Sequence, residues 1–149
     1  MRRLILIAAA VLALTSCGST SNSLYYWGGT RGNVTDYEQM AYRSYDKQTP
    51  QSICNLIAVY ETMVSNPGGT RMVPPPGICA EYGYILMREG SVEAFSQYAT
   101  AAQRKLFSSD DYSALFAERG REMMRKELEY YPESEKFLRP LLEKAEEDK

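Results

Sequence analysis

Residues 78 to 101 run Ile-Cys-Ala-Glu-Tyr-Gly-Tyr-Ile-Leu-Met-Arg-Glu-Gly-Ser-Val-Glu-Ala-Phe-Ser-Gln-Tyr-Ala-Thr-Ala. Two apolar-rich runs flank Glu89-Gly90-Ser91, and neither shows the alternation of a half-buried strand. The spacing predicts one helix over Ile78 to Arg88 and a second beginning at Val92, joined by a turn at Gly90 into an antiparallel hairpin. Small residues at Gly83, Ala94 and Ala101 would let the two helices approach closely, while larger side chains such as Leu86 and Tyr98 fill the gaps.

This order of residues, Gly83 and Leu86, then Gly90, then Ala94, Tyr98 and Ala101, resembles one tetratricopeptide unit. A single unit of that kind cannot bury both of its faces, so the flanking segments must cap it.

Those segments also read as helices. Thr35-Asp36-Tyr37-Glu38 fits a capping box, in which the Thr hydroxyl takes an orphan amide and the Glu returns to the Thr amide. A helix to about Gln48 should follow, with Tyr37, Met40, Ala41 and Tyr45 on one face. Thr49-Pro50 then sets a cap residue before a proline at the first helical position. Ile53, Leu56, Ile57, Tyr60 and Val64 continue at helical spacing, which predicts a second helix to about Ser65. Four prolines and three glycines between Asn66 and Gly77 exclude a regular element there. Beyond the hairpin, Ser108-Ser109-Asp110-Asp111 offers a cap for a helix through to Tyr130, with Leu115, Phe116, Met123, Met124 and Leu128 apolar. Tyr131-Pro132-Glu133-Ser134 interrupts it. A last helix holds Phe137, Leu138, Leu141 and Leu142, with Pro140 expected to kink or restart it and the charged end expected to fray beyond Glu143. The expected fold is all-α: antiparallel helical hairpins, a single tetratricopeptide-like unit and flanking capping helices.

The N-terminus adds a different signal. Met1-Arg2-Arg3 precedes an unbroken apolar run, Leu4 to Leu14, which is too short for the roughly 20 residues of a transmembrane helix and fits a secretory signal. Leu14-Thr15-Ser16-Cys17 resembles the bacterial lipobox, whose cysteine takes a diacylglycerol on its sulfur. That resemblance implies cleavage before Cys17 and attachment through acyl chains such as palmitate, each buried methylene worth about 0.8 kcal/mol. Gly18 to Ser23 holds no apolar side chain and reads as a tether. Gly18 in place of aspartate implies, by the same resemblance, the periplasmic leaflet of an outer membrane. The expected organisation is a signal peptide over 1–16, a lipidated cysteine, tether and aromatic segment over 17–33, and a helical domain over 34–149.

Cleavage would remove 16 of 149 residues and leave 133, enough for one modest core. Without Arg2 and Arg3 the chain has 15 basic against 19 acidic residues and no basic stripe to follow a phosphate backbone, so nucleic acid is not an expected partner. It contains no histidine, which removes Ser-His-Asp and Cys-His catalysis and most zinc sites. Carboxylate pairs at Asp110-Asp111 and Glu146-Glu147 read as a helix cap and a solvated tail. No catalytic residue, metal or cofactor is therefore expected. Cys54 and Cys79 could form a disulfide in an oxidising compartment, or could remain as two buried thiols.

Leu24-Tyr25-Tyr26-Trp27-Gly28, the tyrosine-rich first helix, Pro74-Pro75-Pro76-Gly77, Gly83-Tyr84 with Gly90, and Tyr131-Pro132-Glu133-Ser134 together resemble the small bacterial lipoproteins of domain-of-unknown-function family 4810. The resemblance implies a tetratricopeptide-like fold and an accessory role beside lipoproteins similar to the curli secretion channel. Tyr25, Tyr26, Trp27 and Gly28 are candidates for partner binding, since three rings beside a tether must either dock on their own domain or meet another molecule. All twelve tyrosines follow Cys17. The functional expectation is a membrane-anchored, non-enzymatic factor that binds another envelope protein. The alternative is a peptidoglycan- or glycan-binding or glycan-acting lipoprotein, which as an enzyme would need two carboxyls about 5 to 9.5 Å apart.

Overall fold

The computed structural model describes residues 23–147. The signal-peptide reading, Cys17 and most of the tether lie outside the described residues. The chain from Ser23 opens with an irregular segment and a two-stranded antiparallel ribbon, β1 (Thr30–Arg31) and β2 (Val34–Thr35). Seven α-helices follow among the described residues: α1 (Asp36–Lys47), α2 (Pro50–Ser65), α3 (Ile78–Met87), α4 (Ser91–Tyr98), α5 (Ala101–Arg104), α6 (Tyr112–Tyr130) and α7 (Glu135–Glu147). A 3-10 turn at Pro132–Ser134 leads into α7. The fold is all-α apart from the ribbon.

Local chemistry explains most of the boundaries. Thr35 accepts from the Glu38 amide at 3.1 Å while the Glu38 carboxylate accepts from the Thr35 amide at 2.9 Å, so the expected capping box opens α1. Thr49 caps α2 with Pro50 at its first position. Asp111 accepts from the Ala114 amide and starts α6, which ends at Tyr130.

The core is built by α2, α3, α4 and α6. Tyr60, Tyr82, Phe95, Phe116, Leu56, Ile57, Met63, Ile78, Leu86 and Met123 are fully buried. Phe95, Phe107, Tyr112 and Phe116 form an edge-to-face aromatic cluster with centroids 5.0 to 6.3 Å apart.

Several expectations are corrected by tertiary packing. The main partner of α3 is α6 rather than α4, and α4 packs chiefly on α2. Gly83 accordingly serves the α3–α6 contact: a Cβ there would lie 2.7 Å from the Gly120 carbonyl oxygen and 2.9 Å from Met124 Cγ. Ala94 is buried, but α4 ends at Tyr98, which is largely exposed, and Ala101 is exposed at the start of a separate short helix. Thr100 and Gln103 form a second capping box and restart the chain there. Gly90 does sit at the expected turn with φ +80°. α7 runs through Pro140 without a restart, and it stays helical beyond Glu143, to Glu147. The missing proline amide would face the Lys136 carbonyl, and both residues are exposed, so water can serve that oxygen.

Candidate functional site

The centre of the molecule holds a swapped pair of dipeptides, Tyr60-Glu61 on α2 and Glu81-Tyr82 on α3. The Tyr60 hydroxyl donates to Glu81 at 2.6 Å, and the Tyr82 hydroxyl donates to Glu61 at 2.6 Å. The two rings stack between these bonds with centroids 5.6 Å apart. Tyr37 of α1 extends the stack, 5.9 Å from Tyr60, and donates its own hydroxyl to Glu81 at 2.9 Å. Burial, followed by the Glu81 carboxylate, raises the Tyr60 and Tyr37 hydroxyls well above the ordinary tyrosine value, so both remain donors. Burial first, and then Glu61, does the same to Tyr82.

Glu81 faces a narrow cleft of about 70 Å³ between α1, α2 and α3, with Tyr45, Tyr84, Gln48 and Arg88 around its mouth. Tyr45 is 69% exposed and Tyr84 57%. Tyr42, one turn back on α1, is 72% exposed. These rings pack on little of the protein itself. Tyr45 was expected on the buried face, but Ser44 takes that place because the stripe of α1 passes through Ala41. At Gln48 the cleft meets a broader one of about 280 Å³, with Pro50, Ile53, Glu93, Gln97 and Tyr98 in its walls. The surface therefore presents several amphipathic rings, one carboxylate in a recess and one guanidinium beside it. It can hold aromatic or apolar groups and take a hydrogen-bond donor at its floor.

The opposite end of the stack is tied by charge, beside a cleft of about 280 Å³ walled by Glu61, Leu115, Glu118, Arg119 and Glu122. Glu61 accepts from Ser65 and Tyr82 and from two Arg119 nitrogens at 2.8 and 3.2 Å. Arg119 also reaches Glu122 at 2.8 Å. Burial would raise the Glu122 carboxyl, but hydrogen bonds from Arg119 and Lys126 hold it below its usual value. These glutamates share one guanidinium and do not form a free carboxyl pair. Another buried glutamate, Glu127 of α6, accepts from the Gly77 amide at 2.7 Å and the Ala80 amide at 3.4 Å, capping α3 from outside its own sequence.

The aromatic segment docks on its own domain. Trp27 lies 5.5 Å from Tyr37 and packs against the core, adding a fourth ring to the Tyr37–Tyr60–Tyr82 stack. Gly28 is buried, and the Trp27 and Gly29 carbonyls accept from the Tyr37 and Asp36 amides. Tyr26 lies over Gly68. Tyr25 is held by Arg71, whose Nη1 donates to its hydroxyl at 3.1 Å. Tyr25, Tyr26 and Trp27 are thus half-buried parts of the helical body and not a free anchor on the tether.

Cys54 and Cys79 are buried free thiols, so the disulfide is not formed. They point into different contacts. The Cys54 thiol donates to the Ala94 carbonyl of α4 at 3.4 Å, whereas Cys79 lies toward the charged residues of α6. Burial raises the Cys54 thiol and pushes Cys79 up to about 12, which leaves both unreactive. Among the described residues, no group of three or more potential metal ligands comes together, and no helix is long and apolar enough to cross a membrane. Comparison with family models, curated proteins and solved structures yields no match to this chain.

Proposed function

We propose that this chain is a lipid-anchored envelope protein that binds another envelope protein through the tyrosine-rimmed cleft of α1, α2 and α3, without catalysis of its own. The observation that carries the reading is the exposure of Tyr45 and Tyr84 around the recessed Glu81, with Tyr42 exposed one turn away on α1. Tyrosine and arginine are enriched at interfaces and supply large contact area at their centres. The lipobox at Cys17 supports the anchor and the compartment. The resemblance to family 4810 supports an accessory role beside a secretion-channel-like lipoprotein.

A photoreactive residue in place of Tyr45 in intact cells, followed by identification of the crosslinked product, tests the proposal. A defined envelope protein captured at Tyr45, and not at an equivalent residue placed at Phe137 on α7, is the expected result. A second reading, glycan binding, is favoured by one specific feature: Tyr98 with Gln48, Gln97 and Glu93 combines a ring face with amide and carboxylate groups suited to sugar hydroxyls. Co-sedimentation with purified cell wall that Tyr98→Ala abolishes and Tyr45→Ala leaves intact would select that reading.

A further inference from the structure

The sharp loop between α2 and α3 is clamped to the N-terminal segment. The Ser23 and Leu24 carbonyls accept from the Thr70 and Arg71 amides, each at 3.1 Å. Only glycine fits at residue 69, where φ is +77° and a Cβ would lie 2.6 Å from the Leu24 oxygen. Tyr25 is tied to Arg71, and the Tyr131 hydroxyl fixes the loop's far side by donating to the Pro74 carbonyl at 2.7 Å. On this platform Leu24 is 61% exposed and Met72 is 64% exposed. Met72 holds φ +53°, a left-handed conformation rare for a side chain of its size, while remaining in the open. A loop this firmly held gains nothing for its own core by exposing two large apolar side chains beside a guanidinium.

We infer that Leu24, Arg71 and Met72 form a contact with the phospholipid surface, where the apolar tips enter the acyl boundary and Arg71 meets a headgroup phosphate. The inference rests on the lipid-anchor reading in one respect. Six chain steps lead from the proposed acylation point, Cys17, to Ser23, and at roughly 3.5 Å each they keep Ser23 within about 21 Å of the bilayer. Leu24 follows immediately, so this face stays within reach of the membrane. Tyr25, with its ring beneath Arg71, has the amphipathic character found at membrane interfaces. The contact adds little affinity to that of the acyl chains; it sets which side of the domain looks at the membrane.

The test uses the mature acylated chain, purified and reconstituted in vesicles of phosphatidylethanolamine and phosphatidylglycerol. Leu24→Cys, Met72→Cys and, as a control on α7, Phe137→Cys are labelled singly with an environment-sensitive fluorophore. All three positions are exposed, and the buried thiols of Cys54 and Cys79 give little background. Labels at 24 and 72 are expected to shift to the blue on vesicles and to be quenched by lipid-borne nitroxide several-fold more strongly than the label at 137. Quenching of all three by aqueous iodide to the same extent, with the chain still on the vesicles, overturns the contact and leaves the anchor standing. Intact-mass measurement reads the anchor separately. If it shows no acyl group, the anchor reading falls, and the same labels in a chain that also carries Cys17→Ser, with excess vesicles added, still decide whether this surface enters lipid.

Discussion

The two ends of the Tyr–Glu swap use the same residue types for opposite purposes. At one end Glu61 is buried at the wall of a cleft of about 280 Å³, but every oxygen is occupied and Arg119 neutralises it. At the other, Glu81 accepts from two tyrosines, with no cation among the described residues within salt-bridge distance, and faces a cleft whose rim rings lie in water. A carboxylate fully served by the protein fixes helices in register, whereas one with capacity left over at a recess can receive a donor from outside. The difference is set by the third helix at each site: α6 brings a guanidinium to Glu61, and α1 brings only hydroxyls to Glu81.

The hardest test of that contrast is Arg119→Met. Removing the guanidinium strands a buried carboxylate, so unfolding by denaturant should show a loss of about 3 to 5 kcal/mol. The triple variant Glu61→Leu, Arg119→Met and Tyr82→Phe should recover most of the loss, because apolar groups of similar volume replace the ions and no buried hydroxyl is left without its acceptor. A single-variant loss below about 1 kcal/mol, the range of surface pairs, would show that the Glu61 end is not a closed electrostatic unit.

Gly83→Ala probes how Arg119 is brought into place. The added methyl meets backbone at Gly120, which cannot move aside as a flexible side chain could. A loss of about 1 to 3 kcal/mol in thermal or chemical unfolding is expected. Gly120→Ala should cost less, since its nearest obstacle is the Met87 side chain. Equal effects would mean that the α3–α6 approach is set elsewhere.

The same contact shows what the sequence could disclose. The ends of α1 and α2 were legible in Thr35, Glu38, Thr49 and Pro50, because capping is chemistry between near neighbours. The small size of Gly83 was legible too, but not its partner: Gly120 lies 37 residues away in a helix whose apolar stripe gave no sign of it. Two further boundaries carry local signals. Thr100 with Gln103 announces the restart at α5, and Gly32-Asn33 between β1 and β2 is a hairpin dipeptide. Glu61, Glu81 and Glu127 resembled ordinary surface glutamates, since burial of a carboxylate depends on donors supplied by other helices. The reversal of Tyr60-Glu61 into Glu81-Tyr82 was the one hint in the sequence, and only the packing of α2 on α3 gives it meaning. Exposure of Tyr42, Tyr45 and Tyr84 was hidden for the same reason.

Proton linkage provides a smaller, signed test at α6. Glu127 is raised by burial despite its backbone amides, so the folded state binds its proton more tightly than the unfolded state. Stability relative to Glu127→Gln should therefore fall as pH rises from about 4.3, the unfolded value, through the folded one, and then level off. Glu122 is held below its usual value, so stability relative to Glu122→Gln should fall in the other direction, as pH drops through its folded value. Denaturant midpoints measured from pH 3 to 8 would show the two slopes, and slopes of the same sign would mean that Glu127 is stabilised as the anion by its amide donors.

The smallest expected change in stability belongs to the open end. Tyr45 and Tyr84 contribute little to the core, so Tyr45→Ala and Tyr84→Ala should shift unfolding by no more than about 0.5 kcal/mol. If the cleft is the partner surface, each should nevertheless remove an anchor worth about 2 kcal/mol, a loss near thirtyfold in affinity. Crosslinking yield in cells, compared with the yield for Phe137→Ala on α7, provides the readout. Phe137 is the fitting control because it is equally exposed but lies on another face, so a loss shared by all three variants would indicate nonspecific stickiness. Glu81→Gln sharpens the result further: the amide oxygen can still accept from Tyr37 or Tyr60, while the charge available to a partner's cationic donor is gone. Reduced partner capture by Glu81→Gln with unchanged melting would assign recognition to the carboxylate itself. Unchanged capture by Glu81→Gln, Tyr45→Ala and Tyr84→Ala together would remove the functional distinction between the two ends and leave Glu81, like Glu61, a tie between helices.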